Sequence, residues 1–351
     1  MINPLEPYKG RGAPVNPPNR FEKIQFDRDE EWTADDPAPS TQFLKDTTRS
    51  LISYNDSPDL GFSASFNPYR GCEHGCIYCY ARPTHEYAGM SAGLDFESKI
   101  LVKMNAPELL REELAAKKWK PQVLMVSGVT DCYQPIERRL KLTRRCLEVL
   151  AEFRNPAGFI TKNELIARDV DVFQELARYD CVGVTLSVTT LRGELAQVME
   201  PRASHPAARL RAIETLAKAG IPVGMNVAPI IPGLTDYEIP AILKAGREAG
   251  AQWAGRVMLR LPWAVAPLFE KWLEVHFPEA KEKVLHRIRE MRGGKLYDAR
   301  FGVRGRGEGR YAEHIARLFQ VARDKAGYPK DYRELSTAHF RRPAGPQLEL
   351  F

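Results

Sequence analysis

The sequence predicts an α/β fold: a partial (β/α)6 TIM-like barrel with a basic, α-rich C-terminal appendage and an extended N-terminal arm. Three observations lead there. From Ser63 onward, six short apolar, β-branched runs alternate with amphipathic helical stretches, which implies a parallel sheet. The runs are nearly continuous in apolar character, as strands covered on both faces are. Six strand–helix units, rather than eight, favour an open barrel over a full one.

Residues 1–60 form the arm and lead-in. Pro4, Pro7, Pro14, Pro17, Pro18, Pro37 and Pro39 fall within the first 40 residues, which otherwise hold few apolar runs, so this stretch reads as extended or disordered. The barrel occupies 61–262. Its strands are predicted at Ser63–Pro68, Gln122–Ser127, Gly158–Lys162, Val182–Val188, Ile221–Ile230 and Trp253–Leu259. Lys99–Lys103 is an additional candidate strand. ERRLKLTRRCLEVLAEF and HPAARLRAIETLAKAG repeat apolar residues at three- and four-residue steps, as helices do. Gly220 and Gly250 follow the last periodic residues as C-terminal stops. Beyond Pro262 the rhythm ends. The appendage, 263–342, holds a helix over Pro267–Met291, a Gly/Arg-rich stretch over Gly293–Arg310 and a helix over Tyr311–Lys325. Residues 343–351 are a tethered tail.

The 351 residues are 44% hydrophobic and 27% charged, an ordinary globular composition. No run of 18 apolar residues is present, which excludes a membrane-spanning helix. The first residues have no apolar core of a signal peptide, so a cytoplasmic location is expected. Six cysteines are too sparse for a disulfide scaffold and point to metal or redox chemistry, or to core filling. The net charge of +6 is uneven: residues 281–345 hold 17 Lys and Arg against 8 Asp and Glu. A basic end of this kind suits a polyanionic partner, or is simply a solvated surface.

GCEHGCIYCY places Cys72, Cys76 and Cys79 at C-x3-C-x2-C, just after the first barrel strand. Three thiolates in one tight loop bind a soft metal centre. A structural zinc site would need a fourth ligand, for which His74 or His85 is available. An iron–sulfur cluster held by three thiolates leaves one iron open. Polar residues cluster where the other apolar runs end, in SGVTDCYQPIE, ITKNELIARD, LSVTT, MEPRASHPAARL and PIIPGLTD. Lys162, ending a buried strand, needs an anionic partner or solvent. Ser187 can donate a hydrogen bond at the same end.

C-x3-C-x2-C with an aromatic residue, Tyr78, before the last Cys resembles the signature of radical S-adenosylmethionine (SAM) enzymes. The resemblance implies a [4Fe–4S] cluster on Cys72, Cys76 and Cys79, with SAM chelated at the open iron and an electron donor such as flavodoxin or ferredoxin. CIYCYARPTHEY, TDCYQP, ITKNELIARD and MEPRASHPAARL are similar to the branch that includes spore photoproduct lyase, over roughly residues 60–260. By that resemblance Lys162 and Ser187 contact SAM. Tyr78, Ser127 and Asp131 join them as cofactor-binding residues, and Tyr78 and Tyr80 relay a hydrogen atom. GRGAPVNPPNRFE and GVRGRGEGRYAEHI look more like a bacterial subgroup of relatives. One departure stands out: the cysteine that returns hydrogen in the lyase falls at Gly128 here. Cys132, four residues on, is either a replacement donor or a packed loop residue. Cys146 and Cys181 read as core filler.

The tail, Gln347-Leu348-Glu349-Leu350-Phe351 on a Pro/Gly tether, resembles the bacterial sliding-clamp binding motif, with Gln347, Leu348, Leu350 and Phe351 as the docking residues. Arg300, Arg304, Arg306 and Arg310 sit among glycines and are candidates for DNA phosphates. The combined expectation is a lyase-like radical enzyme for DNA repair or modification, recruited to the clamp. The alternatives are a radical enzyme acting on RNA, a peptide or a small metabolite, and a non-catalytic, metal-binding accessory protein at the clamp.

Overall fold

The computed structural model describes residues 8–22, 39–330 and 334–343. Ten strands are formed among the described residues: β1 Gln42–Lys45, β2 Ser53–Tyr54, β3 Ala64–Phe66, β4 Tyr69–Arg70, β5 Lys99–Val102, β6 Leu124–Val126, β7 Ala157–Thr161, β8 Val182–Ser187, β9 Val223–Ile230 and β10 Ala254–Met258. Seven make the main sheet, in the order β10-β9-β8-β7-β6-β3-β2. All six of the predicted barrel strands are in it, mutually parallel, and β2 adds an antiparallel edge. The candidate strand at Lys99 is real but lies in a second sheet, β1-β5-β4.

The parallel strands follow one another without reversal. Right-handed crossovers then place every connecting helix on the same face. Leu124, Val126, Phe159, Val184, Leu186, Val223 and Met225 are buried, packed in one core with Leu147, Leu150, Phe173, Leu176, Ile213, Leu216, Ile242 and Leu243 from the helices. The other face differs from the sequence reading. Ile160 of β7, Asn226 of β9 and Val257 of β10 are only partly buried, because they line a cavity.

Two predicted helices are interrupted. The first breaks at Lys141, which adopts φ +51° between helices Glu137–Leu140 and Leu142–Phe153. The second is two helices, Val265–His276 and Pro278–Glu290. Pro278 lacks an N–H and pushes the preceding residue out of the helical region, and Phe277 sits at φ −143°, ψ 55°. Helix Arg310–Lys325 lies where it was predicted.

The described part of the N-terminal arm is packed against the cysteine loop. The Glu97 carboxylate accepts hydrogen bonds from the N–H groups of Gly12 (3.0 Å) and Ala13 (2.7 Å) and faces Arg82 at 3.5 Å. Arg82, fully buried, donates to the carbonyls of Cys76 (3.0 Å) and Gly75 (3.1 Å). Gly12 is needed here, since a Cβ on it would lie 1.7 Å from the Gly75 carbonyl oxygen. Gly12→Ala is therefore expected to destabilise the protein by about 1–3 kcal/mol. Urea unfolding should show a lower midpoint with an unchanged slope. An unchanged midpoint would mean the arm does not pack on this loop.

Candidate active site

The cysteine loop leaves β4 at Arg70, and Gly71 and Gly75 carry it through positive φ, +81° and +65°. Cys72, Cys76 and Cys79 line one cavity at the C-terminal ends of the parallel strands, and none is in a disulfide. Burial pushes all three thiols up, Cys76 to about 12 with the Glu200 charge adding to it. Without a metal they stay protonated at neutral pH, so loading a metal centre releases protons.

The donor set fits a cluster better than a zinc ion. His74 is occupied at both ring nitrogens: Nδ1 lies 3.4 Å from Asp131 and Nε2 lies 3.1 Å from the Asn163 amide. His85 bonds the Lys99 carbonyl through Nε2 (2.9 Å) and packs edge-on against Phe96. Among the described residues, no three His, Cys, Asp or Glu side chains converge on a point that would hold one ion. A cluster spreads its thiolates over separate irons and needs no such point.

The strand-end residues gather in the same cavity: Ser127, Asp131, Lys162 and Ser187, with Tyr78 and Tyr80 from the loop. Burial alone would raise the Asp131 carboxyl. The His74 imidazole and hydrogen bonds from Lys162 N–H (2.8 Å) and the Thr161 hydroxyl (2.8 Å) bring it down to about 2. Asp131 thus ties the cysteine loop to the end of β7 as an anion. Lys162 Nζ lies 5.7 Å from the Tyr78 ring centre, and its charge acts on Cys76, Cys79 and Glu200. Ser127 holds φ +72° and accepts the Cys132 N–H at 2.8 Å. A non-glycine residue in this region is strained, and such strain gathers at functional sites.

Tyr78 and Tyr80 have different surroundings. The buried Tyr78 hydroxyl donates to Glu200, beside Thr189. Glu200 in turn pairs with Arg209, equally buried. Tyr80 is 44% exposed and donates to the Gly128 carbonyl at 2.9 Å.

Cys132 does not join them. It is fully buried among Leu124, Leu147 and other core residues, outside the cavity walls, so the loop thiol expected there faces the core instead. The turn is fixed this way because Ser127 binds its N–H and the Thr143 hydroxyl binds its carbonyl at 2.6 Å. Of the basic candidates, Arg300 is paired with Asp298 (2.6 Å) and Glu308 (2.7 Å), and Arg304 with Asp59 (2.5 Å). Arg306 and Arg310 are exposed. Gln347, Leu348, Leu350 and Phe351 lie outside the described residues.

Sequence reasoning missed His74 as the partner of Asp131, the Glu200–Arg209 pair, and Asn226 and Arg260 in the cavity wall. Glu200 and Arg209 were within reach, since both stand in MEPRASHPAARL. Arg260 follows an edge strand in a stretch with no motif.

The family model described as the radical SAM superfamily matches residues 66–245. An uncharacterised protein of Mycobacterium bovis, Mb2609c, is 34% identical over 234 residues, covering 66% of this chain and 68% of its own length. An uncharacterised protein of Methanocaldococcus jannaschii, MJ0683, is 34% identical over 172 residues, covering 49% of this chain and 62% of its own. A mutant spore photoproduct lyase superposes with a TM-score of 0.56 at 16% identity, covering 81% of this chain and 78% of that one. The lyase complexed with dinucleoside spore photoproduct gives 0.53 at 15% identity with the same coverage. The likeness to the lyase is one of fold. No helix among the described residues is long and apolar enough to cross a membrane. From the family match, together with a cavity walled by three free thiols, the chain belongs to the radical SAM superfamily and uses a [4Fe–4S] cluster and SAM.

Proposed function

We propose that this enzyme repairs or modifies a base lesion in DNA by a lyase-like reaction. The observation that carries the reading is the cavity itself. Its wall brings the three thiols, Lys162 and Ser187 together with an exposed tyrosine, Tyr80, under an arginine, Arg260. When bound, the cluster and SAM supply a carbon radical that abstracts hydrogen. In this reading Lys162 and Ser187 orient SAM, Asp131 fixes the loop that faces it, and Tyr78 shapes the wall beside it. A target inside a duplex has to leave the stack to reach such a cavity.

Gly128 offers no thiol, and Cys132 is buried in the core, so among the described residues the only cysteines in the cavity wall are the three of the loop. In this reading Tyr80 relays a hydrogen atom to the product, taking one up as it gives one away. Reduced holoenzyme incubated with damaged and intact DNA in deuterated buffer is expected to place deuterium in the product from damaged DNA. Label absent from DNA would overturn the reading. Tyr80→Phe should largely abolish the label, whereas Cys132→Ala should leave it in place. The reverse pattern would return the role to Cys132.

Recruitment to the sliding clamp through Gln347, Leu348, Leu350 and Phe351 rests on the sequence motif. Pull-down with purified clamp, comparing the full chain with one ending at Pro346, tests it. Equal binding by both removes it.

A further inference from the structure

We infer that Arg260 is the residue that recognises the substrate, by binding a phosphodiester of a nucleic-acid strand at the mouth of the cavity. The inference rests on the DNA reading above and adds to it a residue and a chemical group.

Arg260 follows the edge strand β10 and lines the cavity. Its guanidinium lies 4.7 Å from the centre of the Tyr80 ring. No acidic side chain among the described residues pairs with it, and its Nε is shut off from water without an acceptor. Buried donors are normally paired, and an unpaired one at a cavity wall invites an acceptor from outside. The neighbouring arginine differs. Arg304 is neutralised by Asp59, which also accepts the Gly302 N–H at 2.6 Å. Asp59 is thus committed elsewhere, although the Arg260 charge also reaches it.

The acceptor is assigned to substrate rather than to SAM from the neighbours of the two cavity cations. Lys162 Nζ lies 5.7 Å from the ring of the buried Tyr78, which stands between Cys76 and Cys79 in the loop, at the thiol end. Arg260 instead lies over the ring of Tyr80, which is exposed, so it stands at the open end. Tyr80, exposed in the cavity wall, has the Arg260 guanidinium over it at 4.7 Å, and outside that wall the exposed Phe301 has Arg304 over it at 4.5 Å. Exposed aromatic rings beside arginines suit unstacked bases joined by phosphates. Guanidinium matches phosphate oxygens in a two-pronged geometry that an ammonium lacks.

The test titrates SAM-loaded holoenzyme with the dinucleotide TpT, with its uncharged methylphosphonate analogue and with inorganic phosphate. The native chain is expected to bind TpT at least about tenfold tighter than the neutral analogue, the gain of one charge-assisted contact. Arg260→Gln should bind both equally, and Arg260→Lys should restore only part of the difference. SAM affinity should hold within about twofold in both variants. Discrimination that survives in Arg260→Gln overturns the inference while leaving the DNA reading intact. Loss of SAM affinity in Arg260→Gln also overturns it, by assigning the guanidinium to the SAM carboxylate. Phosphate binding that depends on Arg260, with no binding of either dinucleotide, would keep an anion site but sink its nucleic-acid ligand. An absence of any anion binding by the native chain would sink both.

Discussion

Cys76→Ala is expected to fold, and to purify anaerobically without the absorbance of an iron–sulfur cluster. Iron should fall from about four atoms per chain to below about one, and reductive cleavage of SAM to background. The loop should persist because its backbone is held by other groups. Arg82 bonds the Cys76 carbonyl, which alanine retains, and Ala13 and Ile77 pack around the site. The cluster should be lost because two thiolates remain where three are needed. Cys146→Ala is the control. Cys146 is 1% exposed in the helix layer, so its loss should lower stability while iron content and SAM cleavage stay as they were. Iron retained in Cys76→Ala would show that the metal is held elsewhere.

The second large effect concerns stability. Arg209→Met is expected to cost about 3–5 kcal/mol, the penalty for stranding a buried charge. Glu200 and Arg209 side chains are each 1% exposed. Around them the Tyr78 hydroxyl and the Thr189 hydroxyl (2.8 Å) both donate to Glu200, and Arg209 also donates to the Ser187 (3.0 Å) and Ser204 (2.7 Å) carbonyls. The network fastens the cysteine loop to the end of β8. The double change Glu200→Met with Arg209→Met should recover much of the loss, because the unpaired charge is gone. If the single change costs no more than a surface substitution, the pair is not buried as described.

The same pair sets a pH dependence. Burial opposes ionisation of Glu200, but the Arg209 and Lys162 charges and its hydrogen bonds hold its carboxyl at about 2, below the ordinary 4.5. A depressed folded-state value means the stabilisation is complete above 4.5 and drains away as the pH falls towards 2. Glu200→Gln should flatten the urea midpoint across that interval.

The sequence exposed the strands of the parallel sheet because their signal is local: apolar, β-branched runs at regular spacing. All six fall within a few residues of β3 and β6–β10. It exposed Cys72, Cys76, Cys79, Lys162 and Ser187 for a related reason, since motif spacing and strand ends can be read along the chain. What it hid was set by tertiary pairing. The orientation of Cys132 depends on Ser127 and Thr143, and the burial of residues 11–14 depends on Glu97, far away in sequence. The break at Phe277 was legible in Pro278. The break at Lys141 was not, for a lysine at positive φ carries no sequence mark.

The clasp between the arm and Glu97 bears on how the enzyme ages. Asn16 bonds Asp95, and Asn19 bonds the carbonyls of Glu86 and Met90, so the strap is pinned along its length to the stretch that follows the thiols. A protease nick in this strap would free both Glu97 contacts while leaving the seven-stranded sheet whole. Clipped preparations would then bleach in air well before they lose helical signal, and colour, not circular dichroism, would be the gauge of an intact N-terminus.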